Sequence, residues 1–348
     1  MPLLGGYLAD RFGRKRVFML FDSVCWLTSL IIWAISHNIW HALLAYVIEG
    51  CASVIYSVWE CLLVEDTMWE FRSLIYGSIS AIWTIGSLTT PIAGYIIGLY
   101  GLDMGCRLLF LLAFCALVPA YIIRQIYLRE PEIGRRVRED GSFSGVKGYL
   151  NSLSLMRRSR TILTLLTIIV MAGFFNSSYA YFSLYLIHRE GLELSENVAS
   201  LIPSVSSIVS LTLSLMVVPR LKSSGDYFKT LISGYSLGSL AIFLLINSPK
   251  GLLSTALLSG ALLGFYSTVA FSVSRAFLAN QIDAIDERAR AKILSVTITL
   301  SSLINLPTPT IVGYLFSLNP KIPFIIILAT FLTSLLTLIC SLRNQNIR

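Results

Sequence analysis

Long apolar runs separated by short polar loops dominate this chain. Ten of these runs are long enough to cross a bilayer as a helix, which takes about 20 residues. They span 17–37, 41–64, 74–99, 106–127, 161–187, 196–218, 228–247, 251–279, 291–317 and 322–342. Because lipid cannot hydrogen-bond to the backbone, each run is predicted to be a helix. The predicted fold class is therefore an all-α integral membrane protein.

Basic residues alternate between the two sides of these runs. One side carries most of them, at 11–16, 124–160, 220–229 and 288–292 and at the C-terminus. The opposite side holds only Arg107, Arg189, Lys250 and Lys321. Because loops rich in Lys and Arg stay inside the cell, the first side is predicted to be cytoplasmic. The chain is then a multi-pass protein of the cell membrane with both termini in the cytoplasm.

The longest polar stretch, 128–160, predicts a basic cytoplasmic linker between two half-bundles. Residues 1–127 form the first half and residues 161–348 form the second. Within the linker, residues 149–160 mix leucines with arginines, which is typical of a segment that lies on the inner leaflet.

An internal repeat supports two homologous halves. Glu65, Arg72 and Pro91 recur as Asp283, Arg290 and Pro309, each at an offset of 218 residues. Halves related by an axis along the membrane normal produce this kind of repeat in transporters.

Composition and charge narrow the functional classes. The chain is 55% hydrophobic and 13% charged, whereas soluble domains carry about 25% charged residues. The net charge is +8, and most of the basic residues lie in loops between the membrane helices, so we expect no nucleic-acid partner. No nucleotide-binding loop, metal-ligand cluster or nucleophile–base set is visible in the sequence. We therefore expect no cofactor, no metal and no enzymatic activity. The protein is expected to be a monomer in the lipid bilayer.

The first residues carry the most specific motif. Gly6 to Lys15 reads Gly-Tyr-Leu-Ala-Asp-Arg-Phe-Gly-Arg-Lys. It resembles the Gly-x-Leu-Ala-Asp-Arg-x-Gly-Arg-Lys signature of the major facilitator superfamily, which joins the second and third of twelve helices. An ordinary cytoplasmic loop needs the basic residues but not the Gly-Asp-Gly spacing.

The resemblance implies a major facilitator helical bundle of two pseudo-repeat halves, here with about ten complete transmembrane helices. The ten runs correspond to helices three to twelve, and residues 1–8 to the end of helix two. Helix one and most of helix two would be lacking.

The resemblance also implies a gating motif in which the aspartate approaches the start of the eleventh helix. The predicted members of this motif are Gly6, Asp10, Arg11, Gly13, Arg14, Lys15, Arg72, Asp283 and Arg290.

A second motif lies in the run 74–99. Gly77, Gly86, Pro91 and Gly94 resemble the fifth-helix signature of antiporters in the superfamily, although Thr90 and Tyr95 replace two of its glycines. Close packing of helices at glycines explains the same spacing. The motif therefore favours an antiporter without establishing one.

In the run 41–64, Tyr46, Glu49 and Ser53 share one helical face. Glu49 lies near mid-membrane depth, where an ionisable group needs water or a partner. It is predicted to line a cavity and to carry the coupling proton; a hydrogen-bonded structural glutamate is the alternative. The local sequence resembles the Arg-x-x-Gln-Gly pattern of proton-coupled exporters, but Tyr46 replaces the arginine.

Further polar and aromatic residues lie on two runs of the second half, which line the central cavity in the superfamily. They are Asn176, Tyr179, Ser183, Tyr266 and Ser267. An aromatic and amide lining suits an amphipathic or apolar organic solute. Aromatic packing between helices is the alternative for each residue.

These features predict a secondary active transporter that moves a small organic solute by alternating access, as proton-coupled export. Its expected partners are the solute, protons and lipid. A metabolite symporter or uniporter is the alternative within transporters. A truncated membrane protein that does not transport is the alternative outside them.

Overall fold

The computed structural model describes residues 2–346 apart from 66, 88–89, 140–153, 155, 157–158, 200 and 286–289. In chain order its longer helices are α1 Pro2–Phe12, α2 Arg14–Ala34, α3 Ile39–Val64, α4 Arg72–Ser87, α5 Thr90–Tyr100, α6 Leu102–Tyr127, α7 Glu132–Glu139, α8 Arg160–Ile187, α9 Leu201–Met216, α10 Ser224–Asn247, α11 Leu253–Asp283, α12 Arg290–Asn305, α13 Thr308–Leu318 and α14 Ile322–Asn346. Short helical turns lie at Trp69–Phe71, Glu196–Ala199 and Val218–Arg220. Among these residues no β-strand occurs.

The predicted all-helical membrane architecture is confirmed. Nine helical segments of the described chain are long and apolar enough to cross a membrane, and they match nine of the ten predicted runs. The remaining run, 74–99, is divided between α4 and α5, on either side of the undescribed residues 88–89. About half of the predicted linker 128–160, including most of the predicted inner-leaflet segment 149–160, lies outside the described residues.

Among the interrupted spanning helices, which include α2 with its π-helical turn at Ser23–Leu27, two break at positions that the repeat relates. Helix α3 breaks its hydrogen-bonding pattern at Cys51–Ala52, and α11 contains a π-helical turn at Val269–Val273. Adding the repeat offset of 218 to position 51 gives 269. Irregular turns of this kind in long helices often accompany functional sites.

The turn between α1 and α2 depends on a glycine. Gly13 precedes α2 with a φ of 97°, in the left-handed region that side chains with a Cβ rarely adopt. This backbone requirement gives a physical reason for the second glycine of the opening motif.

The described chain forms two compact units. Unit one contains Met1–Thr67, Gly86–Leu155 and Ile285–Thr299. Unit two contains Met68–Ile85, Met156–Ala284 and Leu300–Arg348. The halves predicted from sequence place α4 in the first half and α12 in the second. In the structure, nearly all of α4 belongs to unit two, and the first part of α12 belongs to unit one. These segments are related by the internal repeat, and they carry Arg72 and Arg290.

Each unit has its own apolar core. In unit one, Ala9 of α1, Phe18 and Cys25 of α2 and Val58 of α3 pack together in a buried cluster. In unit two, the ring of Tyr266 lies 4.1 Å from that of Phe331 within a cluster of buried aromatic side chains. These cores hold the helix ends that carry the charged residues described next.

Candidate functional site

A group of buried charges lies where α1, α2, α3 and α12 meet in unit one. Arg14 is fully buried, and its Nη2 lies 2.6 Å from Glu65 Oε1 and 3.7 Å from Asp10 Oδ1. On the other side of Asp10, Lys292 Nζ lies 3.7 Å from Oδ2. We call Asp10, Arg14, Glu65 and Lys292 the Arg14 cluster. Its two cations and two carboxylates balance in formal charge.

Arg290, at the start of α12, belongs to the same region of unit one. It is fully buried. Helix α12 therefore carries two basic residues, Arg290 and Lys292, and the Lys292 ammonium lies beside Asp10 of α1. Asp10, a residue of the opening motif, lies beside the Lys292 side chain near the start of α12. This helix corresponds to the eleventh helix of the family.

Unit two contains a second ion pair, in which Arg72 is buried and Asp283 is partly buried. Arg72 Nη2 contacts Asp283 Oδ2, and Arg72 Nη1 donates a hydrogen bond to Asn280 Oδ1 at 3.0 Å. We call Arg72 and Asp283 the Arg72 pair. It joins the arginine of the first repeat to the acid of the second.

The remaining motif residues lie around the Arg14 cluster. Arg11 is exposed and donates a hydrogen bond to the Tyr7 hydroxyl at 3.2 Å. Lys15 Nζ donates to the Gln125 carbonyl at the end of α6, at 2.9 Å. Gly6 is buried within α1. Arg11 and Lys15 thus present their charge at the rim of the cluster rather than inside it.

Glu130, just after α6, holds the start of α2 and was not among the residues predicted from sequence. Its Oε1 and Oε2 accept hydrogen bonds from the backbone N–H groups of Arg14 and Lys15, both at 2.7 Å. A carboxylate at a helix N-terminus satisfies free amide groups and interacts favourably with the helix dipole. Sequence offered no signal for this cap, because 116 residues separate Glu130 from Arg14.

We expect Glu130→Ala to lower the free energy of unfolding by about 1–2 kcal/mol, the usual cost of losing a helix cap. Glu130→Gln, which keeps an acceptor oxygen, should cost less. Thermal unfolding of the purified protein in detergent measures both. Glu132→Ala is the matched control, because Glu132 forms an exposed ion pair with Arg136, and such pairs contribute little. Equal melting temperatures for Glu130→Ala and Glu132→Ala would contradict the capping role.

Asp10 of the Arg14 cluster lies outside the candidate membrane spans. Burial raises the pKa of its carboxyl above the ordinary 3.8, although Arg14 and Lys292 act in the opposite direction. The folded protein therefore favours protonated Asp10 more than the unfolded chain does. This contribution to stability is present below the unfolded pKa and is lost as the pH rises through the folded pKa.

Asp10→Asn, which resembles the protonated form, should therefore raise the melting temperature at pH 7–8. It should also remove the part of the pH dependence that Asp10 causes above pH 3.8. Melting curves of both proteins across pH 5–8 test this. A lower melting temperature for Asp10→Asn at neutral pH would mean that the contacts with Arg14 and Lys292 outweigh the cost of burial.

Glu49 lies beside a tryptophan of the neighbouring helix. It is half-buried, and its Oε2 accepts a hydrogen bond from Trp33 Nε1 at 3.4 Å. The Trp33 ring stacks on Phe110 of α6, with centroids 5.6 Å apart. On the same face as Glu49, Tyr46 is 70% exposed and Ser53 is half-buried. Trp33 is a partner for Glu49 that the sequence pattern did not indicate.

The predicted cavity residues of the second half all lie in unit two. Asn176, Tyr179 and Ser183 are exposed along one face of α8. Tyr266 is buried among Phe175, Tyr235 and Phe331, and Ser267 beside it is half-buried. Contact with a solute stays a prediction for these residues, and Tyr266 is the one among them that packs inside the core.

The fifth-helix glycines differ in their surroundings. A Cβ added at Gly77 would lie 2.6 Å from the Ser214 carbonyl oxygen, so α4 and α9 approach closely there. A Cβ added at Gly86 would meet no atom within 4 Å. Pro91 and Gly94 lie within α5, and their packing is outside the described part of the chain.

The described residues contain no group of three or more His, Cys, Asp or Glu that could hold a metal ion.

Comparison with known proteins relates this arrangement to transporters. The chain is 23% identical to Multidrug resistance protein 2 of Bacillus subtilis over 349 aligned positions, which cover 93% of this chain and 78% of that protein. The fold matches the human organic anion transporter TETRAN with a TM-score of 0.77 and 18% identity, over 97% of this chain and 80% of that one. It also matches the Escherichia coli fucose:proton symporter with a TM-score of 0.71 and 10% identity, over 98% and 87% of the two chains.

A family model provides the decisive finding. The family model described as Major Facilitator Superfamily matches residues 1–282, which is most of the chain. The matched range includes the opening motif, Glu49 and Arg72. Members of this family are transporters rather than enzymes. The chain belongs to the major facilitator superfamily.

Proposed function

We propose that this transporter exports a small organic solute in exchange for protons, by alternating access. The observation that carries alternating access is the presence of two largely buried ionic groups, the Arg14 cluster and the Arg72 pair. A buried charge costs several kcal/mol unless its partners stay in place. Ionic groups at helix ends therefore favour one arrangement of the helices and can be exchanged for water in another.

Glu49 is the proposed coupling residue. It is the half-buried carboxylate in the middle of α3, and intramembrane carboxylates commonly carry protons in transporters. The similar proteins support an organic solute, because one is a multidrug resistance protein and another is an organic anion transporter. The fucose:proton symporter supports the use of protons in this fold.

Transport by the purified full chain in proteoliposomes tests the proposal. A pH-sensitive dye inside the vesicles reports proton movement, and a panel of cationic, neutral and anionic aromatic solutes supplies the substrate. We expect protons to move opposite to the solute and a pH gradient to drive its accumulation. Movement of both in the same direction would identify a symporter, and solute flux without protons a uniporter. Either result would overturn proton exchange.

The proposed location is the cell membrane, with both termini in the cytoplasm. From the one-sided distribution of Lys and Arg, we expect a reporter fused after Arg348 to be active in the cytoplasm. A reporter inserted at 190–195 or 248–251 should be active outside. If the Arg348 and 190–195 reporters lay on the same side, the predicted orientation would be wrong.

A further inference from the structure

Asp22 of α2 and Arg124 of α6 form an ion pair in unit one that the proposed function has not used. Arg124 Nη1 lies 3.0 Å from Asp22 Oδ2 and donates a hydrogen bond to Oδ1 at 3.2 Å. Asp22 lies within the candidate membrane span Arg14–Ala34, 22 − 14 = 8 positions or about 12 Å from its start. An ionised carboxylate within a membrane span is costly unless a partner stabilises its charge or a proton neutralises it.

The cation of this pair has further contacts, whereas the carboxylate is buried beside apolar side chains. Arg124 Nε donates a hydrogen bond to the Ala120 carbonyl at 3.2 Å, and its guanidinium carbon lies 5.8 Å from the Phe18 ring centroid. Arg124 also lies in the last turn of α6, where a cation interacts favourably with the helix dipole. The Asp22 side chain is 5% exposed, next to the buried cluster that contains Phe18. Arg124 therefore keeps stabilising contacts when it leaves Asp22, but an ionised Asp22 loses the cation that compensates for its burial.

Both members of the pair lie beside an irregular position of their helix. Asp22 immediately precedes the π-helical turn Ser23–Leu27 of α2. Arg124 follows Pro119 by 124 − 119 = 5 positions, and a proline inside a helix removes one backbone hydrogen bond. Because π-helical turns often accompany functional sites, this part of α2 and α6 is a candidate for a role beyond structural support.

The start of α2 and the end of α6 are also held together at other points. Lys15 Nζ donates a hydrogen bond to the Gln125 carbonyl at 2.9 Å, and Glu130 caps the start of α2. Neither contact involves the side chains of Asp22 and Arg124. The ion pair can therefore open by rotation of the Arg124 side chain, without separation of α2 from α6.

We infer that Asp22 is a proton-binding site whose occupancy is controlled by Arg124. While the guanidinium is in contact, Asp22 is a carboxylate and the pair is neutral. When Arg124 turns towards the end of α6, Asp22 takes up one proton, and it returns that proton when the pair closes.

The surroundings of Asp22 supply one charged contact, Arg124. The titratable side chains of the adjacent cluster in the described chain are Cys25, Cys51 and Tyr121, and cysteine and tyrosine are ordinarily uncharged at neutral pH. Proton binding at Asp22 does not require the exchange of protons for a solute, so it goes beyond the proposed function.

Infrared spectroscopy of the purified full chain at neutral pH tests the inference, because protonated carboxyl groups have a distinct C=O stretching band. Arg124→Gln removes the cation, so its spectrum should gain the band of one protonated carboxyl per chain relative to the wild type. Adding Asp22→Asn to this variant should remove the band and so assign it to Asp22. If Arg124→Gln gained no band, Asp22 would stay ionised without its partner, and the inference would be overturned.

Arg107→Gln is the matched control, because Arg107 forms an ion pair with Asp103 on the same helix. Asp103 is the second residue of α6 and its side chain is 84% exposed, so it should stay ionised when its partner is removed. An added band as strong as that of Arg124→Gln would contradict the inference, since loss of any arginine partner would then be sufficient.

The wild-type protein provides a second measurement if Arg124→Gln does not fold. On acidification from pH 8 to pH 5, the wild type should gain a carboxyl band that Asp22→Asn lacks. Identical changes in the two proteins would show that Arg124 does not release Asp22 in this range and would overturn the inference.

Transport measurements distinguish the proton-binding site from the proposed function. The Asp22 band without proton exchange in proteoliposomes would overturn the exchange mechanism and leave the proton-binding site standing. Proton exchange by a protein that shows no Asp22 band would overturn the proton-binding site and leave the exchange mechanism standing.

Discussion

Replacing Arg14 by methionine is expected to lower the free energy of unfolding by about 3–5 kcal/mol. The substitution removes the cation that lies 2.6 Å from Glu65 and 3.7 Å from Asp10. Both carboxylates stay buried, so they lose a partner without gaining water. The loss should appear as a large fall in melting temperature, or as loss of monodisperse protein after extraction in detergent.

A double substitution separates the lost charge pair from lost packing. Arg14→Met combined with Glu65→Gln removes both members of the closest pair and should recover much of the stability. Arg11→Met is the matched control, since Arg11 is an exposed residue of the same motif, and exposed substitutions usually change stability by less than about 0.5 kcal/mol. If the double variant were as unstable as Arg14→Met alone, packing of the Arg14 stem rather than its charge would hold this site together.

Glu49→Gln is expected to abolish proton-driven accumulation of the solute while downhill exchange continues. Glutamine has nearly the same shape as glutamate and can still accept the hydrogen bond from Trp33, but it cannot titrate. The measurement is solute uptake into proteoliposomes, with and without an imposed pH gradient. Unchanged uphill transport in this variant would assign the coupling proton to another residue.

Two further variants define what the surroundings of Glu49 contribute. Trp33→Phe removes the indole N–H and keeps an aromatic ring against Phe110, so transport should persist with a shifted pH dependence. Glu190→Gln is the control for charge, because Glu190 is exposed in the turn after α8. Loss of uphill transport in Glu190→Gln as well would show that the effect does not depend on the position of Glu49.

The sequence by itself determined the helical membrane architecture and the family. Insertion of a helix into a membrane depends on the summed hydrophobicity of about 20 consecutive residues. Each span can therefore be recognised from its own sequence, without knowledge of the helices that pack against it. The opening motif is equally local, since Gly13 is required by the backbone of one turn. The internal repeat likewise identified Arg72, Asp283 and Arg290 as related residues before their surroundings were known.

Only the tertiary structure decided which charged residues meet. The Arg72 pair joins residues 211 positions apart, and Glu130 reaches the start of α2 across 116 positions. Such contacts follow from how whole helices pack, and no local pattern encodes them.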